Sequence, residues 1–316
     1  MENVELIEFC GIDRWKDAVE NTGKHEGWIL AEEDFDRWRD GFGKNNFNLL
    51  VAIEKGTNKT VGHVATAFYE PIDGSDPLVT IGMFFVLPQF RGIGLGWKLF
   101  EQVLENPKFK GVNWGLNAVP KMTKKYAAKF GFDKHPKWQI ATFEAAISDV
   151  NPDRLKSNPL IKTVPFKDVD FNSFIKYDTE ITGGIRRDKF IEKWLNSKNA
   201  FSKIAINLEN EKIVGICNIR VGFEKQLAIG PFYAETKEIA ESLLKDVLKI
   251  IPNIHQYSKL WLYPATINQE AKNIFYKLAD EKVQESNVTY GQFTNHVIEV
   301  DTSKIYSVTE HAMSYC

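Results

Sequence analysis

Five residues in the first half of the chain, Gly92-Ile93-Gly94-Leu95-Gly96, place a glycine at every second position between an apolar run and a stretch with helical spacing. Glycine lets the backbone turn tightly and approach an anion with no Cβ in the way. The N–H groups of a first helical turn lack intrahelical partners, and with the helix dipole they attract negative charge. One such helix end contributes only about 0.3–1 kcal/mol. Several converging N–H groups plus Arg91 are therefore needed to hold a pyrophosphate. Two familiar phosphate loops are excluded. A Walker loop requires Gly-Lys-Ser/Thr at its end, and here Gly96 is followed by Trp97-Lys98-Leu99. A dinucleotide fingerprint would place its third glycine at position 97, which is Trp97. The alternative is a tight strand–helix turn that binds nothing.

Such a loop must be held by a strand before it and a helix after it. Positions 79–87 are nearly all apolar, as a central strand buried on both faces requires. Leu95, Leu99, Phe100, Val103 and Leu104 then recur at helical spacing. Around this unit the pattern predicts strands at 4–9, 47–53, 60–68, 112–119 and 138–145. Helices are predicted at 13–20, 32–40 and 122–130, the last ending at Gly131 as a C′ glycine. The apolar pattern lapses between about 148 and 159, so residues 1–150 form one domain, 151–159 a linker and 160–316 a second domain. The order then repeats. Helices fit 169–177, 187–196, 236–250 and 268–278, and strands fit 202–208, 212–221, 225–230 and 259–263. Val61-Gly62-His63 and Val214-Gly215-Ile216 hold the same place in the two halves, which suggests two related α/β domains in tandem.

The loop resembles motif A of the GNAT superfamily of N-acetyltransferases, Q/R-x-x-G-x-G/A. It fits in two frames, Gln89-Phe90-Arg91-Gly92-Ile93-Gly94 and Arg91-Gly92-Ile93-Gly94-Leu95-Gly96, after a family-like strand end, Phe84-Phe85-Val86-Leu87-Pro88. The resemblance implies an α/β (α+β) fold of two tandem GNAT-like domains, each a mixed, mostly antiparallel twisted sheet flanked by helices. It also implies acetyl-CoA as acyl donor and a small-molecule or peptide amine as acceptor. Main-chain groups of Phe84, Phe85 and Val86 would meet the pantetheine arm, and the N–H groups from Arg91 through Gly92, Ile93, Gly94, Leu95 and Gly96 to Trp97 the pyrophosphate. Asn117, on the next strand, is either a polar contact to the donor or a satisfied core amide.

Freeing the lone pair of a lysine-like amine at pH 7 costs about 3.4 pKa units, roughly 4.6 kcal/mol. A base is therefore useful, as is an acid for the departing thiolate. Family members carry that acid as a tyrosine four residues before the glycine of a Gly-Phe pair. The pair here is Gly131-Phe132, but position 127 is Ala127 and the tyrosine is Tyr126. A shift of one residue turns a helical side chain by about 100°, so Tyr126 is read either as the acid or as a core aromatic. Thr80 and Ile81 leave no carboxylate on the central strand; His63 and Glu70 are the candidate bases, against a core histidine and a solvated loop residue. Orientation with ordered water as base is a further alternative. The acidic loop 69–77 attracts a cationic amine or is ordinary turn chemistry. Lys121, Lys124, Lys125 and Lys129 face a ribose phosphate or form a solvated helix face.

The second half resembles the GNAT-like domain of YitH/HolE-type tandem acetyltransferases, through Gly184-Ile185-Arg186-Arg187, Phe190 and Ile229-Gly230-Pro231-Phe232-Tyr233-Ala234. Pro231 removes an N–H donor, Glu235 would repel phosphate, and Tyr276-Lys277-Leu278-Ala279-Asp280 lacks a Gly-Phe ending. This half is expected to bind coenzyme A poorly and to shape the acceptor site or the domain pair, with binding of an unrecognised small molecule as the alternative.

Composition narrows the remaining classes. Apolar residues at 43% and charged residues at 26% suit a folded globular chain. A net charge of −2 gives no field for nucleic acid. The acidic start lacks an apolar signal region, and no apolar run reaches membrane-spanning length, so a cytoplasmic location without membrane association is expected. Cys10, Cys217 and Cys316 are too scattered for a disulfide framework or a metal site. A non-catalytic coenzyme A sensor and a tandem structural or interaction module are the competing functions.

Overall fold

A computed structural model describes residues 2–72 and 74–316 (of Asn287, the main chain alone); Met1 and Asp73 of the acidic loop lie outside the described residues. The first half runs β1 (Val4–Ile7), α1 (Ile12–Glu26), α2 (Asp34–Phe42), β2 (Phe47–Glu54), β3 (Lys59–Tyr69), β4 (Leu78–Val86), α3 (Leu95–Leu104), β5 (Asn113–Ala118), α4 (Pro120–Phe130) and β6 (Ile140–Ala146). The second runs β7 (Ile161–Val164), α5 (Phe171–Ile181), α6 (Asp188–Leu195), β8 (Ala200–Asn207), β9 (Ile213–Gly222), β10 (Gln226–Ala234), α7 (Lys237–Lys249), β11 (Lys259–Leu262), α8 (Gln269–Leu278), β12 (Gln284–Phe293) and β13 (Ile305–Ser307). The mixed, mostly antiparallel architecture is as expected. Among the described residues a 13-stranded sheet has the order β1-β2-β3-β4-β5-β12-β6-β11-β10-β9-β8-β7, with β13 on β10. Only β4–β5 and β10–β11 are parallel.

The order exposes an exchange that the periodicity does not predict. The last strand of the first half, β6, pairs with β11, while β12 from the second half pairs with β5 through Tyr290↔Ala118 to Phe293↔Gly115. β12 and β6 also pair with each other, so the two halves share one continuous sheet. Sequence reading gives no strand at 284–293, because its Ser, Asn, Gly and Gln residues break the apolar pattern.

Apolar packing explains the layers. Leu95, Leu99, Phe100 and Val103 of α3 and Tyr126 of α4 bury one face of β3–β5. Trp15, Ala18 and Val19 of α1 and Phe35 and Trp38 of α2 bury the other, in a cluster that continues into α5 and α6. At that junction the Trp38 and Phe190 rings lie 4.5 Å apart between centroids. Gly41 makes this approach feasible: a Cβ there would sit 2.6 Å from Phe190 Cα. Buried ion pairs Asp34–Arg220 and Asp178–Arg187 complete the junction.

Beyond β13 the segment 308–316 runs back between the halves. Its carbonyl groups pass over Gly230 and then over Gly82, where a Cβ would fall 2.3 Å from Val308 O and 2.0 Å from Ala312 O, respectively. Each glycine lies on the strand that has a parallel neighbour, so one segment crosses the corresponding place in both halves.

Candidate active site

Strand β4 changes character at Gly82. Ala65 faces Gly82 and His63 faces Phe85, so β4 carries one extra residue between these pairs. Met83 sits in that bulge at φ 50°. A bulge of this kind ends regular pairing and re-aims the following residues. β4 and β5 pair only from Leu78↔Asn113 to Ile81↔Leu116. Past that point the strands part, and a cavity of about 530 Å³ opens between them and the start of α3.

The glycine loop forms one wall of this cavity, which Phe84, Phe85, Val86, Arg91, Gly92, Gly94, Gly96, Trp97, Asn117 and Tyr126 all line. Gly92 and Gly94 have φ of 82° and 87°, the left-handed region that favours glycine. Gly96 lets α3 approach β4: a Cβ there would meet Phe84 Cζ at 3.1 Å. Among the described residues the main-chain N–H groups of Gly92, Ile93, Gly94, Leu95, Gly96 and Trp97 bond to no other main-chain group, and no side chain caps the helix. Leu95 points its side chain into the core, whereas Ile93 is exposed. Arg91, expected to begin the run of free donors, does not: its main-chain N–H donates to Pro88 O at 3.2 Å. Its side chain is partly committed, with Nε donating to Val86 O and Nη2 to Glu26 Oε1, both at 2.8 Å.

Tyr126 stands on α4, stacked on Phe100 at 5.0 Å with an interplanar angle of 16°, and its ring also approaches Phe84 and Trp97. Its hydroxyl has no hydrogen-bond partner among the described residues, and burial raises its pKa, keeping the proton on oxygen. Lys121 and Lys125 line the same cavity, while Lys129 pairs with Glu101 at 2.7 Å.

The two candidate bases are not brought to this cavity. His63 is fully buried on the α1 face, its Nδ1 2.5 Å from Met83 O and its ring stacked on Phe85. Burial lowers its pKa to about 4. Glu70 lies at the other end of β3, exposed and accepting a hydrogen bond from Asn46 at 3.1 Å. Asn117 lines the cavity, but its Nδ2 donates to Ser314 O at 2.7 Å and His311 O at 3.2 Å.

A second cavity, of about 310 Å³, shares Glu26, Trp28, Val119 and Ala312 with the first. Arg220, Glu144, Glu310, His311, Trp261 and Tyr263 also line it. None of these was singled out by sequence reasoning. They come from four strands or loops of both halves, and nothing in 308–316 gives a period or a motif.

The second half has no counterpart to the glycine loop. β10 continues to Ala234, four residues past its expected end, and Thr236 caps α7 directly through Ile239 N. β13 pairs with β10 at Phe232↔Ser307. Among the described residues no helix is long and apolar enough to cross a membrane.

A family model described as "Protein of unknown function (DUF1248)" matches residues 2–181. A second, described as "Acetyltransferase (GNAT) domain", matches residues 174–299. No curated protein matches significantly. Among solved structures, a Pyrococcus horikoshii protein assigned as an acetyltransferase superposes with a TM-score of 0.70 at 15% identity, over 99% of this chain and 97% of that one. A tandem GNAT protein from the clavulanic acid biosynthesis pathway gives 0.65 at 13%, over 92% and 98%. A GCN5-related N-acetyltransferase from Sphaerobacter thermophilus gives 0.60 at 13%, over 98% of both chains. At these identities the likeness is one of fold.

Proposed function

Since the chain belongs to the family described as "Protein of unknown function (DUF1248)", whose model spans more than half of it, and has a tandem GNAT fold, we propose that it is an acetyl-CoA-dependent N-acyltransferase. One observation carries the reading: among the described residues the main-chain N–H groups from Gly92 to Trp97 have no protein partner, and Gly92, Gly94, Gly96 and Trp97 line the cavity where two strands part. Gly92 to Gly94 are exposed and Leu95 to Trp97 open the helix, so these N–H groups are free to meet a ligand, and a helix start with its dipole is suited to an anion.

The donor supplies an activated acetyl thioester. The glycine loop would hold its diphosphate, with Lys121 and Lys125 available to further phosphate. The bulged main chain of Phe84 to Val86 would align its arm along the gap. Tyr126, protonated and without a hydrogen-bond partner among the described residues, would donate a hydrogen bond to the departing sulfur. A thiol is a stronger acid than a phenol by about 1.5 units, so this hydroxyl stabilises the thiolate chiefly as a hydrogen-bond donor. The second half has β13 and the following segment where an opening would have to be, in keeping with one donor site per chain.

Acetyl-CoA at about 100 times its dissociation constant should stabilise the fold by roughly 2.7 kcal/mol. A thermal shift with free-thiol release in the presence of amines is the expected result. A shift without turnover on any amine would favour a sensor, and no shift at all a structural module.

A further inference from the structure

His311 occupies a place that the acyl-transfer reading has not used. Its ring lies against Tyr263, 5.1 Å between centroids, and its Nε2 is 3.3 Å from Thr289 Oγ1 on β12. Nδ1 has no hydrogen-bond partner among the described residues, and the side chain lines the second cavity. Its neighbour Ala312 lines both cavities, and Asn117, on the wall of the first, donates to the His311 carbonyl. His311 therefore stands one residue from the wall common to the two spaces.

We propose that the second cavity receives a small primary amine and that Nδ1 of His311 takes the proton from its attacking nitrogen. This rests on the acyl-transfer reading. The contact with Thr289 Oγ1 allows either atom to donate; proton uptake at Nδ1 requires the tautomer in which Nε2–H donates, which leaves the Nδ1 lone pair free. The other titratable groups facing the cavity are already engaged. Glu26 holds Arg91, Glu144 holds Lys259 at 2.8 Å, Arg220 holds Asp34, and Glu310 accepts main-chain N–H groups from Ala312 at 2.7 Å and Ser314 at 2.6 Å. Tyr263 is held neutral by burial. Burial likewise lowers the His311 pKa to about 4, so the ring is unprotonated throughout the neutral range. It takes the proton only as the nitrogen–carbon bond forms and makes the nitrogen strongly acidic. A space of about 310 Å³ suits a small free amine better than a side chain carried on a protein surface.

The step balances. The nitrogen–carbon bond forms as the carbon–sulfur bond breaks, the nitrogen's proton passes to His311 Nδ1, and the sulfur leaves as a thiolate hydrogen-bonded by the Tyr126 hydroxyl. Solvent then carries the proton from His311 to the thiolate, and the products are an amide and a free thiol.

The test uses the full chain, acetyl-CoA, and propylamine, phenethylamine, spermidine and a lysine-containing peptide as acceptors. H311Q and H311A should each lower kcat by about 100-fold or more while retaining the acetyl-CoA thermal shift. Added imidazole should restore part of the H311A rate. Long-range ¹H–¹⁵N spectra of the wild type should show unprotonated Nδ1 at pH 7 and a shift on adding a small amine without donor. Both variants remaining within about threefold of the wild type, or the peptide outcompeting every small amine, would overturn the proposal while leaving acyl transfer intact. A wild-type chain that neither binds acetyl-CoA nor releases thiol would overturn both.

Discussion

The side-chain amide of Asn117 donates to the carbonyl oxygen of Ser314 at 2.7 Å, across 197 positions of chain. The same amide reaches His311 O at 3.2 Å. β5 and the segment after β13 are thereby fixed to each other where β4 and β5 part, and Ala312 of that segment joins the wall of the larger cavity.

Asn117→Leu leaves two sheltered carbonyl groups without a donor. The cost should be about 1–3 kcal/mol, read as a lower urea midpoint with unchanged slope. Hydrogen exchange should rise in 308–316 and stay constant in β8 and β9. Equal protection of 308–316 in both proteins would show that the amide does not anchor it.

Tyr126→Phe separates chemistry from packing. The ring contacts with Phe100 and Phe84 remain, and the lost hydroxyl has no partner among the described residues, so stability should stay within about 0.5 kcal/mol. kcat should fall by about 10- to 100-fold, toward the lower end of general acid contributions, with KM for acetyl-CoA little changed. A full wild-type kcat would remove Tyr126 from the mechanism.

His63 makes folding sensitive to acid. Its folded pKa is about 4 against an ordinary 6.5, because burial penalises the charged ring. The folded state thus refuses a proton that the unfolded chain accepts. Stability from this residue is fully present above pH 6.5, falls as pH drops from 6.5 to 4, and changes no further below that. The loss is on the order of 3 kcal/mol. Denaturation midpoints between pH 7 and 4.5 should fall less steeply in His63→Leu than in the wild type; parallel curves would contradict this origin.

Arg187 and Asp178 are joined by two hydrogen bonds, 2.9 Å and 2.7 Å, with Arg187 Nη1 also on Thr309 Oγ1. Both side chains are buried. Asp178→Ala should cost about 3–5 kcal/mol, because it strands a buried guanidinium. The double change Asp178→Leu with Arg187→Met should recover much of that, which a double-mutant cycle in denaturant would measure.

The glycine loop was legible because its signal is local. Strand, glycines and helix lie within the 27 consecutive residues 78–104, and α3 spans the stretch over which Leu95, Leu99, Phe100, Val103 and Leu104 recur at helical spacing. Gly131 likewise closes α4 in the left-handed conformation. The C-terminal contribution was not legible. β12 carries Ser286, Asn287, Gly291 and Gln292 in a strand whose neighbours come from the other half, so its burial follows from pairing and not from its own pattern. His311 and Ala312 gain their positions from contacts with Tyr263, Thr289 and Asn117, none near them in sequence. His63 and Glu70 lie on or just after the strand next to β4, yet pleating turns one to the α1 face and the chain carries the other to the far end of β3.

The central claim is that the bare amides from Gly92 to Trp97 bind the diphosphate of a thioester donor. Calorimetric titration of coenzyme A into the wild type and into Gly94→Arg, each checked for native near-ultraviolet circular dichroism, tests it most directly. Saturable one-site binding by the wild type, lost in the folded variant, is the predicted result. Equal binding by both, or none by either, would contradict it.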